Sequence, residues 1–339
     1  MTDGNQPDEE DALLGTPAGG VVGAERLERV LPAWIFAPRV ERPVSAAPPA
    51  PPRPRPRRQV RDEELLAVGS IVDKYRVDGL LGKGGFATVY KATHLLLGTR
   101  VALKLLRPTV LRRQPALGAQ LCAEARFAAR INHANVVRIL DVTSHALTYI
   151  VMEYIDGMSL GQRIRRHGPL TPPALLRVGL QVLAGLDAGL EQGLIHRDIK
   201  PANILLTRGG DVKIVDFGLA RHTSERADPP RVRAKAVLGT HGYMSPEQAD
   251  DPETVDFRAD VYSLGVTLHE AAAGGLPFPA GETRPRPMPR LDHTVPGFPT
   301  GVASLVAWML AQDRDDRPAS YASLHSAMAD ALATFAPSP

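Results

Sequence analysis

The sequence predicts an α+β protein in two lobes, a small β-rich lobe with one helix followed by a larger, mainly helical lobe. Three observations lead there. Strand-like runs fill the early part: Tyr75 to Leu81, Ala87 to Ala92, Thr99 to Leu105, Val136 to Thr143 and Thr148 to Glu153. One helix-like run, Leu117 to Ile131, interrupts them. After Leu160 the apolar spacing turns helical, most clearly in Leu175 to Gln192, Asp260 to Ala273 and Val302 to Ala311. Strands first and helices later, with no internal repeat, read as segregated layers.

The chain has 339 residues, 44% of them hydrophobic, enough to bury a sizeable core. Forty Lys and Arg face 37 Asp and Glu, a net charge of +3, and so even a balance does not point to nucleic acid. The single cysteine, Cys122, excludes an internal disulfide and a thiolate metal cage. It fits a reducing cytoplasm, with Cys122 as a small helix residue. The start is acidic (Asp3, Asp8, Glu9, Glu10, Asp11) where a secretory signal would be basic. No uninterrupted apolar stretch reads as long enough to span a bilayer. The chain stops at Pro339, soon after its last motif, which predicts no membrane anchor or sensor domain beyond it.

Residues 1–70 have a different texture. Pro43, Pro48, Pro49, Pro51, Pro52, Pro54 and Pro56 alternate with Arg53, Arg55, Arg57, Arg58 and Arg61. Proline at this density blocks helix and sheet, so an extended, solvated extension is expected. A linker is the plainer reading. The sharper one is a docking segment for an acidic or proline-reading partner. Val21 to Phe36 is more apolar, with Leu27, Val30, Leu31, Trp34 and Phe36, and could form a short docking helix. The catalytic domain is expected over residues 71–336.

The first chemical motif is Leu81-Gly82-Lys83-Gly84-Gly85-Phe86-Ala87-Thr88-Val89. Glycines between two strands let backbone N–H groups close over phosphates. Ala87 stands where a G-x-G-x-x-G motif has its third glycine. The chain continues as strand through Thr88 and Val89, so this is not the dinucleotide fingerprint, whose glycines open a helix. The next strand supplies Val101-Ala102-Leu103-Lys104, a lysine placed to neutralise nucleotide phosphates. It needs a carboxylate to aim it, and Glu124 on the helical run is the candidate.

Leu194-Ile195-His196-Arg197-Asp198-Ile199-Lys200-Pro201-Ala202-Asn203-Ile204-Leu205, followed by Asp216-Phe217-Gly218, completes the set. With these motifs in order, the chain from about Tyr75 to about Ala333 resembles the eukaryotic-like, Hanks-type Ser/Thr protein kinases of bacteria. The resemblance implies the bilobal protein-kinase fold, ATP and Mg²⁺ as cofactors, and Ser or Thr hydroxyls of protein substrates as acceptors. It implies Asp198 as catalytic base, Lys200 on the γ-phosphate, and Asn203 and Asp216 as metal ligands, since hard oxygens suit Mg²⁺. Met152 matches the gatekeeper, and Glu153, Tyr154 and Ile155 the hinge. Val89, Ala102 and Leu205 would sandwich adenine. Ala128, Ile139, His196 and Phe217 resemble the stack that couples the lobes. Glu247 would pair with Arg317, Asp260 would brace the catalytic loop, and Thr240 would contact Asp198 and Lys200.

The activation segment departs from the family pattern. Six and eight residues before Thr240 stand Ala234 and Val232, which cannot be phosphorylated. Thr223 and Ser224 can be, but lie nearer Asp216. Arg221, Arg226, Arg231, Arg233 and Lys235 outnumber Glu225 and Asp228. Two routes to an ordered loop stay open: carboxylates neutralising these cations, or phosphate on Thr223 or Ser224. The rival function is a pseudokinase scaffold that binds nucleotide or partners without turnover. Against it, Lys104, Glu124, Asp198, Lys200, Asn203 and Asp216 are all present.

Overall fold

The computed structural model describes residues 65–144, 147–217, 241–251, 254–277 and 288–336. The extension up to residue 64 and the activation segment from Gly218 to Thr240 lie outside the described residues, and with them the expectations for Val21 to Phe36, Thr223, Ser224 and Thr240.

The upper lobe holds β1 (Ile71–Val72), β2 (Tyr75–Lys83), β3 (Ala87–His94), β4 (Arg100–Leu106), helices α1 (Pro108–Arg113) and α2 (Pro115–Ala128), then β5 (Ile139–Ser144) and β6 (Thr148–Glu153). The strands form one sheet in the order β1-β2-β3-β4-β6-β5, antiparallel throughout. Strand alternation divides the lobe into two cores. Val101, Leu103 and Leu105 join Tyr75, Tyr90, Tyr149 and Val151 on one face. Ala102 and Leu106 face the other way, against Leu117, Leu121 and Ala125 of α2. Side chains repeat every two residues along a strand, so Lys104 falls on the α2 face, between Ala102 and Leu106.

Several boundaries differ from the sequence reading, and three of them are informative. Helix α2 ends at Ala128 rather than Ile131, and β5 starts at Ile139 rather than Val136. The cause is the same. Ile131 and Val136 belong to the lower core, and the Val137 N–H donates to the Ile214 carbonyl at 2.8 Å, so this stretch crosses between lobes instead of extending either element. Residues 65–70, assigned by composition to the extension, are tied to the lobe. Leu66 packs on the outer core and its N–H donates to Tyr90 Oη at 3.2 Å, while Gly69 donates to Val77.

The lower lobe runs through β7 (Gly157–Ser159), α3 (Leu160–His167), α4 (Pro172–Leu190), β8 (Ile204–Thr207), β9 (Val212–Ile214), α5 (Pro246–Asp250), α6 (Arg258–Ala273), α7 (Leu291–Thr294), α8 (Thr300–Met309) and α9 (Tyr321–Ala333). Proline at the first helical turn starts α4, where a missing N–H costs nothing. By length and composition α4 is apolar enough to cross a membrane, although Arg177 and Asp187 interrupt its apolar run. Its Leu175, Leu176, Val178, Val182, Leu183 and Leu186 lie in the lower core, as a buried core helix requires. In α6, thirteen of sixteen residues are buried, so this helix is the axis on which the lobe is assembled.

One ion pair ties the end of the activation segment to the lobe. Arg317 donates from Nη1 and Nη2 to the two Glu247 oxygens at 2.7 and 2.9 Å. Its side chain is wholly buried, and the carbonyls of Ala311, Arg258 and Gln312 take its remaining donors. Burial alone raises the Glu247 carboxyl, but the hydrogen bond and charge of Arg317 outweigh it and hold it below the usual value near 4.5. A depressed folded-state pKa stabilises the fold above the unfolded value, and that contribution is lost as pH falls through the folded one. The expected result for Glu247→Gln is a loss of about 3 kcal/mol near neutrality, since Arg317 is left buried without its anion. The gap to the parent should narrow below about pH 4. Urea unfolding at both pH values checks this, and a gap independent of pH contradicts it.

Candidate active site

The apolar residues expected around adenine meet in one place. Val89, Ala102, Met152, Ile155 and Leu205 belong to the core between the sheet and α2, where Val215 joins them. The ladders explain the meeting: Ala102 lies opposite Met152, and Val89 opposite Lys104. Leu205 comes from the lower lobe, through β8. The glycine-rich turn closes between β2 and β3, with Gly84 N–H donating to the Ala87 carbonyl at 2.8 Å. Lys83 is the last residue of β2. Leu81 and Phe86 are half-exposed, and nothing stands within 4 Å of where a side chain on Gly82 or Gly85 would sit. Ala87 serves as the third position because its φ is not positive, so no glycine is needed there. At the hinge, Glu153 uses its carboxylate: Oε1 accepts from Arg138 N at 2.8 Å and from Lys213 Nζ at 2.7 Å.

Lys104 Nζ reaches across the cleft to Asp216 Oδ1 at 2.7 Å. Glu124, expected to aim the lysine, stands half-buried on α2, and the ion pair found for Lys104 is the one to Asp216. Burial opposes ionisation of Asp216, but the Lys104 charge and hydrogen bond prevail, so its carboxyl lies below the usual range. Asp216 adopts a left-handed φ of 62°.

The catalytic loop is a connected network. Asp198 accepts from Lys200 Nζ at 2.9 and 2.7 Å and from Asn203 Nδ2 at 3.0 Å. Asn203 Nδ2 also donates to the Asp198 carbonyl at 2.9 Å, so its amide oxygen is the atom left to face a cation. His196 is fully buried. Its Nδ1 accepts from Asp198 N at 3.2 Å, which leaves the proton on Nε2 to donate to the Val215 carbonyl at 2.9 Å. Asp260 accepts the backbone N–H of His196 at 2.7 Å and of Arg197 at 2.6 Å. Burial raises the Asp260 carboxyl, and the neighbouring His196 and these two bonds only partly offset that.

Behind the loop, Phe217 meets the His196 ring edge-on at 5.0 Å and shares the lower core with Ala128, with Ile139 packed beside it. Phe217 fits only because residue 189 is glycine. A Cβ there would lie 2.1 Å from Phe217 Cζ. Sequence reasoning did not single out Gly189. Nor did it find Gln248, whose Nε2 donates to the Arg197 carbonyl at 3.0 Å, or Tyr321, whose hydroxyl lies 3.4 Å from Asp260 Oδ2. These partners are 51 to 61 residues apart in the chain, beyond any local pattern.

Residues 75–329 match the protein kinase domain family. The serine/threonine-protein kinase PknH of Mycobacterium bovis is 34% identical over 279 residues, covering 80% of this chain and 46% of its own. The serine/threonine-protein kinase pkn3 of Myxococcus xanthus is 36% identical over 274 residues, covering 74% of this chain and 48% of its own. The chain thus spans less than half the length of these relatives. Among solved structures, the Mycobacterium tuberculosis PknI kinase domain superposes with a TM-score of 0.65 at 27% identity, covering 80% of this chain and 100% of that one. With the motifs, the two-lobed fold and these relatives agreeing, the chain belongs to the protein kinase family, among the serine/threonine kinases of bacteria.

Proposed function

We propose that this chain transfers the γ-phosphate of ATP to Ser or Thr hydroxyls of protein substrates. The observation that carries the proposal is the convergence of Lys104, Asp216, Asp198, Lys200 and Asn203 at the mouth of one apolar cleft. Phosphoryl transfer asks the protein for positioning and charge neutralisation more than for covalent chemistry. Leu81, Gly82, Lys83, Gly84, Gly85 and Phe86 would cover the phosphates, while Val89, Ala102, Met152, Glu153, Ile155 and Leu205 would hold adenine. Lys104, steadied by Glu124, would bind the phosphates. Asp198 would accept the substrate hydroxyl's proton, and Lys200, now on Asp198, would share the γ-phosphate. Thr240 would contact the same pair.

The Asn203 amide oxygen and the Asp216 carboxylate are hard donors that fit Mg²⁺. Held there, the ion would offset the charge of the nucleotide phosphates. We place the chain in the cytoplasm, with the Pro/Arg-rich extension read first as a linker and, as the sharper alternative, as a docking segment for an acidic or proline-reading partner.

Two results are expected. Asp198→Asn should lower kcat by about 10²–10⁴ without changing the melting temperature, since a positioned base contributes about that factor. Lys104→Ala and Asp216→Asn should abolish transfer as well, and Asp216→Asn should weaken Mg²⁺-dependent nucleotide binding more than Asp198→Asn does. Turnover is read with labelled ATP and a generic protein substrate; undiminished turnover by Asp198→Asn defeats the mechanism. Separately, Gly189→Ala should cost about 1–3 kcal/mol of stability by overpacking and depress kcat, because Phe217 adjoins Asp216. Adding Phe217→Leu should recover part of both losses. A Gly189→Ala protein with parental kcat and melting temperature would refute this coupling.

A further inference from the structure

Away from the active cleft, a second cavity of about 270 Å³ lies between α6, the Met288–Leu291 stretch and α8. Met288, Leu291, Val306 and Leu310 give it apolar walls. Two polar side chains lining it are not matched to that setting. His269 is 2% exposed, and among the described residues neither ring nitrogen makes a hydrogen bond. Gln312 Nε2 is likewise buried without an acceptor. Buried donors and acceptors are ordinarily paired, so two orphans lining one cavity mark it as a place for a partner.

The chemistry of that partner follows from the charges. Burial lowers the His269 pKa, and the nearby Pro289 carbonyl only partly counters this without reaching hydrogen-bond geometry. The ring is therefore neutral and offers one donor and one acceptor. Arg290 adds no net charge: its Nε and Nη2 close on Asp292 at 3.0 and 2.9 Å, and Nη2 also donates to Ser304 at 3.1 Å. Among the described residues, a charged ligand would meet no unpaired counter-charge.

We propose that this cavity binds a small, neutral, mainly apolar molecule carrying an amide-like donor and acceptor, which Gln312 Nε2 and the His269 ring would satisfy together. The volume limits it to a fragment-sized body. The position gives the site a route to the end of the activation segment. Ala311 and Gln312, both lining the cavity, supply carbonyls to Arg317, the residue that holds Glu247.

The test uses the full chain with its histidine rings labelled with ¹⁵N and three probes: benzamide, toluene and benzoate. Benzamide should bind saturably and shift the His269 nitrogens, with toluene and benzoate several-fold weaker. Gln312→Leu should weaken benzamide about tenfold, the worth of one hydrogen bond, and leave toluene unchanged. His269→Phe should do the same; if that protein does not fold, Gln312→Leu decides alone. Three outcomes would each overturn the proposal: no His269 response to benzamide up to its solubility limit, equal binding of toluene and benzamide, or benzamide binding untouched by Gln312→Leu.

Discussion

The active site rests on one buried carboxylate. Asp260 lies in the first turn of α6, with no exposed surface, and receives the backbone N–H groups of His196 and Arg197. Those bonds pin two consecutive peptides, the second of which carries Arg197 at a φ of 63°. A left-handed arginine costs about 1–3 kcal/mol. Hydrogen bonds to a charged acceptor contribute about 1.5–3 kcal/mol each, enough to hold that conformation. The Arg197 carbonyl is fixed in turn by Gln248. With both ends of the Arg197 peptide unit held, the chain leaves it on a set course, and Asp198 emerges beside Lys200 and Asn203.

From this anchor the constraint spreads by contact. The His196 ring shares its two nitrogens between Asp198 N and the Val215 carbonyl, so one imidazole ties the catalytic loop to the residue preceding Asp216. Asp216 bonds Lys104 in the upper lobe, and Phe217 packs beside His196 at the foot of α2. The two lobes therefore meet through the Lys104–Asp216 ion pair and through Phe217, which shares a core with Ala128 of α2. A shift of Phe217 must move Asp216, because a single peptide joins them.

Much of this was legible in the sequence because the informative residues sit close together. Strand alternation put Lys104 on the same face as Ala102, and the His196-to-Asn203 loop packs its network into eight residues. What was not legible depends on long-range packing. The ends of α2 and β5 were misplaced because Ile131, Val136 and Val137 look like continuing helix and strand, while their partners lie in the lower lobe near Ile214. The attachment of Leu66 was hidden for a similar reason. Its acceptor is the hydroxyl of Tyr90, 24 residues on, and a proline-rich neighbourhood says nothing of that. The length and apolar composition of α4 would also suit a membrane span, and only its burial in the lower core marks it as a core helix.

Gly189 shows most directly why packing escapes a sequence reading. By itself it is a glycine near the end of a helix, where it costs about 1 kcal/mol relative to alanine. That cost makes no sense within α4, since no residue there needs glycine's conformational freedom. It makes sense only against Phe217, whose ring occupies the space a methyl group would fill. The helix gives up local stability so that an aromatic ring can lie next to Asp216. The same logic separates the two buried histidines. His196 has both nitrogens engaged and serves as a fixed strut, whereas His269 sits nine residues along from Asp260 on the same helix with neither engaged. Burial alone does not distinguish them. The difference lies in what faces each ring: backbone groups in bonding geometry in one case, and in the other an apolar cavity with the Pro289 carbonyl near but unbonded.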